Sequence, residues 1–128
     1  EWVLVESEKR KADFLERMIP VLGLDQQVSV YSGRAEVYLK KSSVKNIIVR
    51  GIGSVEKIEN WIEKCSTWNT LILFKGPGWE KEWERYLDRK QFPRLRLVKR
   101  VDYALPLTGK QRVIILLNRV PRGTRSYG

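Results

Sequence analysis

The sequence contains no histidine and only one cysteine, Cys65, among its 128 residues. Without histidine the chain lacks the commonest general base and a frequent metal ligand. One cysteine excludes both an internal disulfide bond and a zinc site built from several cysteines. These absences count against metalloenzymes and histidine-dependent hydrolases, and we expect no metal. No apolar run reaches the roughly 18 residues of a membrane-spanning helix, so a soluble, cytoplasmic monomer without a membrane partner is expected.

Positive charge is what the chain has in excess. Its 25 lysines and arginines against 15 acidic residues give a net charge of +10. The basic residues are dispersed and do not border a long apolar helix, which favours a nucleic acid over a membrane as the polyanionic partner. Because 42% of the residues are hydrophobic, the composition is that of a globular protein. The first residue is Glu1 and opens directly on a strand, so we expect the sequence to be the inside of a longer chain.

Apolar strands alternate with helices along the chain. The predicted strands are Trp2–Val5, Gln27–Tyr31, Asn46–Arg50, Thr70–Phe74, Leu95–Val101 and Arg112–Leu117. Helices are predicted from about Ser7 to Leu22, with Gly23 as C-cap, and over Trp79–Lys90. A further helix is predicted after Ser54, with Trp61 on its apolar face, and a short helix or loop after Glu36. Continuous apolar strands alternating with helices indicate an α/β fold, with a mostly parallel sheet and helices on both faces. The last two strands are predicted to pair antiparallel.

Polar and glycine residues follow four of the predicted strands. They are Glu6, the turn Gly33–Glu36, Arg50 with Gly51, and Lys75 with Gly76. In open α/β sheets the ligand lies beyond the carboxyl ends of the strands, so these residues are candidates for a binding site. Two interpretations of Glu6 remain open: it accepts hydrogen bonds from a ribose, or it caps the following helix, with Ser7 as N-cap.

Motifs in order along the chain resemble segments of the RsmG (GidB) family, the guanine-N7 methyltransferases of 16S ribosomal RNA. They are Leu4-Val5-Glu6-Ser7 with Lys9-Arg10-Lys11 and Phe14-Leu15, then Gly33-Arg34-Ala35-Glu36, Val49-Arg50-Gly51, Leu73-Phe74-Lys75-Gly76, and Leu105-Pro106-Leu107 with Gly109-Lys110-Gln111-Arg112. The resemblance implies a class I methyltransferase-like (Rossmann-type) α/β fold. Residues 1–120 would be a partial domain that starts at its second strand, and residues 121–128 a basic flexible tail.

The resemblance also implies S-adenosylmethionine as cofactor and ribosomal RNA of the small subunit as partner. The implied cofactor-binding residues are Glu6 and Ser7 at the ribose and Arg34, Ala35 and Glu36 near the adenine. The implied catalytic residues are Arg50 and Lys75, and the residues implied to face RNA phosphates are Lys9, Arg10 and Lys11. Guanine N7 already carries an available lone pair, so the chemistry mainly requires positioning, and the absence of histidine is no obstacle.

No GxGxxG sequence occurs in the chain. The family has a glycine-rich loop after its first strand, so the resemblance predicts that the sequence lacks this N-terminal part. An alternative function stays open: a methyltransferase-like module without cofactor that serves as a basic RNA-binding or scaffold domain. Lys45 and Gly51 favour this alternative, because they stand where the family has an aspartate and an alanine.

Overall fold

The computed structural model describes residues 1–50 and 53–121. The chain divides into two compact units, unit 1 (Glu1–Ser42) and unit 2 (Ser43–Gly128). Gly51, which belongs to the predicted strand-end site, lies outside the described residues, as does the predicted basic tail apart from Pro121. The elements are β1 (Trp2–Glu6), α1 (Lys9–Val21), β2 (Val28–Ser32), α2 (Ala35–Lys40), β3 (Asn46–Arg50), α3 (Val55–Ile62), β4 (Thr70–Lys75), α4 (Trp79–Arg89), β5 (Leu95–Ala104) and β6 (Gln111–Arg119).

Unit 1 is built on two parallel strands. β1 pairs with β2 from Trp2 opposite Val28 to Glu6 opposite Ser32. Helix α1 connects them and buries Ala12 and Ile19, one helical face as the apolar spacing predicts. The helix ends at a glycine in the left-handed region, Gly23 with φ 70°, whose N–H donates to the Pro20 carbonyl at 3.0 Å. The C-cap residue itself is Leu22, and the glycine predicted as C-cap follows it at the left-handed position where helices commonly end.

The start of α1 differs from the predicted one. The N-cap residue is Glu8, and no side chain caps the helix at this position. Ser7 was predicted as N-cap but precedes this residue. The carboxylate of Glu6 accepts a hydrogen bond from the Glu8 N–H at 3.2 Å. This acid therefore satisfies the N–H of the N-cap residue at the helix start.

Unit 2 contains a four-stranded sheet in the order β3-β4-β6-β5. β3 and β4 are parallel, whereas β6 runs antiparallel to both β4 and β5. An irregularity in the β5–β6 register lies between Leu97 and Lys99. The predicted α/β architecture, with parallel strand pairs followed by an antiparallel pair at the C-terminal end, is confirmed.

The core of unit 2 lies on one face of this sheet. Leu71, Leu73, Ile115 and Leu117 are fully buried there, and helices α3 and α4 cover them. On the opposite face Ile48 remains 46% exposed, because strand residues alternate between the two faces.

One predicted core residue of α3 is only partly buried. Trp61 was predicted on the apolar face of the helix, but it is half-buried, with the Lys57 ammonium 5.3 Å from its ring centroid. The fully buried tryptophan is Trp68, in the segment between α3 and β4. The spacing of apolar residues identified the helix correctly, but position 61 lies at the margin of the buried stripe, where a large ring remains in contact with water.

A buried polar network joins α3, α4 and the start of β5. Tyr86 donates a short hydrogen bond from its hydroxyl to Glu59, which is only 3% exposed. Lys90 forms an ion pair with the same carboxylate at 3.1 Å. The Arg94 N–H donates to the Tyr86 hydroxyl at 3.2 Å. Burial and the hydrogen bond to Glu59 raise the pKa of Tyr86 well above its ordinary value, so the phenol stays protonated.

No helix in the described part of the chain is both long enough and apolar enough to span a membrane.

Candidate functional site

Unit 1 places the predicted cofactor-binding residues at one end of its two strands. Glu6 ends β1 and lies opposite Ser32, the last residue of β2. The Gly33 N–H donates to the Glu6 carbonyl at 2.9 Å, which ties the turn after β2 to the end of β1. Arg34 follows as the N-cap residue of α2. Parallel pairing thus brings Glu6 and the Arg34–Glu36 turn side by side.

The Glu6 carboxylate is half-buried and performs the capping role described above. This contact uses one of its two oxygens. A carboxylate can accept several hydrogen bonds, so capping is compatible with a second role toward a ribose hydroxyl. Ser7 is exposed beside it. The contact of Glu6 with the helix start and a role toward a ribose are therefore compatible, whereas Ser7 as N-cap is not.

Aromatic packing supports the turn that contains Arg34. The rings of Tyr31 and Tyr38 are 5.0 Å apart, and the Lys41 ammonium lies 4.8 Å from the Tyr31 ring centroid. A methyl group on Gly33 would lie 2.7 Å from the Tyr31 ring, so the ring requires glycine there. Arg34 is two-thirds exposed, with its Nε 3.6 Å from a carboxylate oxygen of Glu36. The sequence analysis did not identify Tyr31 as a support for this turn.

The predicted RNA-facing residues form the first turn of α1. Lys9, Arg10 and Lys11 are all exposed. Lys9 lies 3.9 Å from Asp13 and Lys11 lies 3.3 Å from Glu8, both in solvent-exposed pairs that contribute little to stability. Their charges remain accessible to a polyanion.

Unit 2 places Arg50 and Lys75 at the carboxyl ends of two adjacent parallel strands. In the register, Arg50 lies opposite Phe74 and not opposite Lys75. Because successive strand residues point to opposite faces, the two cations lie at the same edge of the sheet on different faces. Arg50 is on the side of Ile48 and is exposed, whereas Lys75 is on the side covered by α3 and α4. The structure therefore does not bring the two side chains together on one face.

Lys75 is engaged by groups of its own unit. Its ammonium lies 3.0 Å from Glu82 Oε2 and donates to the Gly53 carbonyl at 2.9 Å. The sequence analysis overlooked Glu82. The sequence feature that could have identified Glu82 is its spacing. It stands three residues after the buried Trp79 and four before the buried Tyr86, which places it on the inner face of α4. A carboxylate in such a position needs a cation or N–H donor nearby.

A groove of about 260 Å³ opens beyond Lys75, between the start of α4 and strands β5 and β6. Arg100 in its wall contacts both Glu80 and Asp102. The hydrogen bond with Arg100 lowers the pKa of Asp102, so this guanidinium favours the charged form of the carboxylate that it contacts. In the described part of the chain, no group of three or more acidic, histidine or cysteine residues could hold a metal ion.

A model of the GidB family, described as rRNA small subunit methyltransferase G, matches residues 1–111 of the chain. The chain belongs to this family. Ribosomal RNA small subunit methyltransferase G of Rhodopirellula baltica is 35% identical over 80 residues, which are 62% of this chain and 34% of that protein. The protein of the same name from Pelotomaculum thermopropionicum is 25% identical over 129 residues, 97% of this chain and 54% of that protein. The chain thus spans about a third and about half of the lengths of these relatives.

Solved structures confirm the class I methyltransferase-like fold. An uncharacterized protein from Listeria monocytogenes serotype 4b matches with a TM-score of 0.70 at 17% identity, over 98% of this chain and 54% of that one. Streptococcus pneumoniae Sp1610, solved in complex with S-adenosyl-L-methionine, matches with a TM-score of 0.67 at 16% identity, over 98% of this chain and 56% of that one. At these identities the likeness concerns the fold alone.

Proposed function

We propose that this member of the GidB family contributes the cofactor- and RNA-facing part of an S-adenosylmethionine-dependent methyltransferase that acts on guanine N7 in 16S ribosomal RNA. The observation that carries the proposal is the family match together with the placement of Glu6 beside the Arg34–Glu36 turn at one strand edge. The two relatives named above, which are methyltransferases of small-subunit ribosomal RNA, support the substrate class.

The residues at the edge of unit 1 fit the nucleoside part of the cofactor. The half-buried carboxylate of Glu6 accepts hydrogen bonds from the ribose hydroxyls, with Ser7 beside it, and Ala35 and Glu36 lie against the adenine. Arg34 borders the same turn. When bound, S-adenosylmethionine would supply an electrophilic methyl group on its sulfonium. Transfer of this methyl to the N7 lone pair of guanine, in line with the sulfur–methyl bond, would break that bond and leave the cofactor as a neutral thioether.

The residues of unit 2 act on the RNA side. Arg50, exposed at the end of β3, donates to the acceptor edge of guanine, as arginine commonly does. Lys75 supports the same strand edge from the opposite face of the sheet. The basic first turn of α1, Lys9–Lys11, attracts RNA phosphate.

Cofactor binding is tested by following backbone amide resonances of this chain during titration with S-adenosylmethionine. We expect weak binding, because the sequence contains no glycine-rich loop whose backbone N–H groups could hold the cofactor carboxylate, with shifts concentrated at Glu6 and at Gly33–Glu36. Glu6→Gln should weaken the shifts. Glu16→Gln, which neutralises an exposed acid on α1, is the matched control. Shifts that spare Glu6 and the turn, or that survive Glu6→Gln unchanged, would contradict the assignment.

The RNA role is tested by the salt dependence of binding to small-subunit ribosomal RNA, since affinity falls with salt in proportion to the phosphates contacted. Replacing Lys9, Arg10 and Lys11 together by Glu should flatten the slope. The matched control replaces three exposed basic residues of unit 2, Lys64, Lys81 and Arg85, which changes the net charge equally. Equal slopes in the two triple variants would show that net charge alone governs binding.

Catalysis is tested in the native protein containing this chain by transfer of a radioactive methyl group to small-subunit RNA. Arg50→Ala should lower kcat/KM about ten- to a hundredfold, roughly 1.4–2.7 kcal/mol. Arg85→Ala is the control. If no variant and no wild-type protein transfers methyl groups while RNA binding persists, the second candidate function, a cofactor-less RNA-binding module, accounts for the chain. Lys45 and Gly51, which stand where the family has an aspartate and an alanine, favour this second candidate.

A further inference from the structure

We infer that Lys75 is a positioning residue: it fixes the start of α3 behind Arg50 and does not itself bind RNA. The inference deepens the proposed function, because it rests on the RNA-contacting role proposed for Arg50. It assigns to Lys75 a different task from that of Arg50, although both residues end parallel strands at the same edge of the sheet.

The surroundings of the Lys75 ammonium carry the inference. The side chain is 14% exposed. Its three N–H donors face three oxygen atoms: the Gly53 carbonyl at 2.9 Å and the two carboxylate oxygens of Glu82 at 3.0 and 3.3 Å. An ammonium whose donors are engaged in this way has little left to offer a phosphate or a guanine.

The same carboxylate also holds the backbone of α3. Glu82 Oε2 accepts a hydrogen bond from the Val55 N–H at 3.0 Å. Lys75, Glu82, Gly53 and Val55 together form what we call the Lys75 clamp. It fixes Gly53 in the left-handed conformation, φ 59°, at the point where the chain enters the helix. Only two residues lie between Arg50 and Gly53, and three Cα–Cα steps span at most about 11 Å, so the clamp restricts the end of the strand that carries Arg50.

Lys75 and Arg50 also differ in whether an acidic residue compensates their charge. Glu82 compensates Lys75, whereas Arg50 has no acidic partner among the residues that the structure describes and lies exposed on the other face. Of the two, Arg50 is the cation that can attract RNA. Lys75 can influence RNA binding only through the position of the β3–α3 connection.

The clamp is tested in this chain by hydrogen exchange of the Val55 amide, followed by NMR. Lys75→Met should speed this exchange about tenfold or more, because it removes the cation that holds the carboxylate accepting the Val55 N–H. Glu82→Gln should do the same, because a neutral amide accepts this N–H more weakly and no longer pairs with Lys75. Lys75→Arg should restore protection. The matched control is Lys81→Met, which removes an exposed lysine of α4. Unchanged Val55 exchange in Lys75→Met, with the rest of the chain folded by circular dichroism, would overturn the clamp.

A double-variant cycle with small-subunit ribosomal RNA separates positioning from contact. If Lys75 acts through the strand end of Arg50, Lys75→Met combined with Arg50→Ala should bind RNA no more weakly than Arg50→Ala alone. The control, Lys81→Met with Arg50→Ala, should show independent effects. If the affinity losses of Lys75→Met and Arg50→Ala multiply in the double variant, Lys75 contacts RNA independently, and the inference is overturned. If Arg50→Ala leaves RNA affinity unchanged, the proposed role of Arg50 fails, and Val55 exchange still decides whether the clamp exists.

Discussion

Replacing Tyr86 with phenylalanine tests the buried network that joins α3, α4 and β5. The substitution removes only the hydroxyl, so the ring keeps its stacking on Trp83, with ring centroids 5.1 Å apart. Two hydrogen bonds are lost. The hydroxyl no longer donates to the buried carboxylate of Glu59, and it no longer accepts the Arg94 N–H. Among the described residues, Glu59 then keeps its ion pair with Lys90 at 3.1 Å.

The expected loss of stability follows from these two bonds. A hydrogen bond to a charged group contributes about 1.5–3 kcal/mol, and an unsatisfied buried N–H costs on the order of 1 kcal/mol. We therefore expect Tyr86→Phe to lower the free energy of unfolding by about 2–4 kcal/mol, measured by urea unfolding with tryptophan fluorescence. Tyr103→Phe is the control, because among the described residues the Tyr103 hydroxyl has no hydrogen-bond partner. A loss below about 0.5 kcal/mol for Tyr86→Phe would refute the reasoning.

The pH dependence of the stability difference between wild type and Tyr86→Phe tests whether the Tyr86 phenol stays protonated. Burial and the hydrogen bond to Glu59 raise the pKa of Tyr86 above the ordinary value of about 10. Above that pH the unfolded chain releases its proton while the folded chain retains it, so the free energy of unfolding falls as pH rises. The difference in stability between wild type and Tyr86→Phe should therefore be constant below about pH 10 and shrink above it. A difference that grows above this pH would contradict the raised pKa.

Two further substitutions test packing. Trp68→Ala should lower the free energy of unfolding by about 3–5 kcal/mol, because it leaves a cavity in the core. Trp61→Ala should lower it by clearly less, because of the two tryptophans only Trp68 is fully buried. Equal losses of the two variants in urea unfolding would contradict this assignment. Gly33→Ala should cost about 1–3 kcal/mol by overpacking, because the new methyl group would lie 2.7 Å from the Tyr31 ring, and it should also weaken the cofactor-induced shifts at Arg34–Glu36. Gly76→Ala is its control, since open space surrounds that position, and equal stability of the two variants would count against the close contact.

Local physical chemistry determined most of the secondary structure in advance. The apolar run NIIVR predicts β3 with the observed bounds Asn46–Arg50, because a short continuous apolar segment between polar turns is typical of a buried strand. Ser54 predicts the start of α3, and its hydroxyl accepts the Lys57 N–H at 3.3 Å, as N-cap geometry requires. The ordered motifs were also sufficient to indicate the family. These features depend on residues close together in the sequence.

Tertiary structure alone decided how charged and polar side chains are paired. Lys75 and Arg50 both end apolar strands, and sequence reasoning treated them alike. The register of β3 against β4 places them on opposite faces, and Glu82, from another element, engages only Lys75. By residue type, a glutamate such as Glu59 is expected at the surface. It is buried because it pairs with Tyr86, which lies 27 residues further along the chain. Local sequence determines which residues face inward, because helix and strand periods are short, but long-range packing selects the partners of the charges buried there.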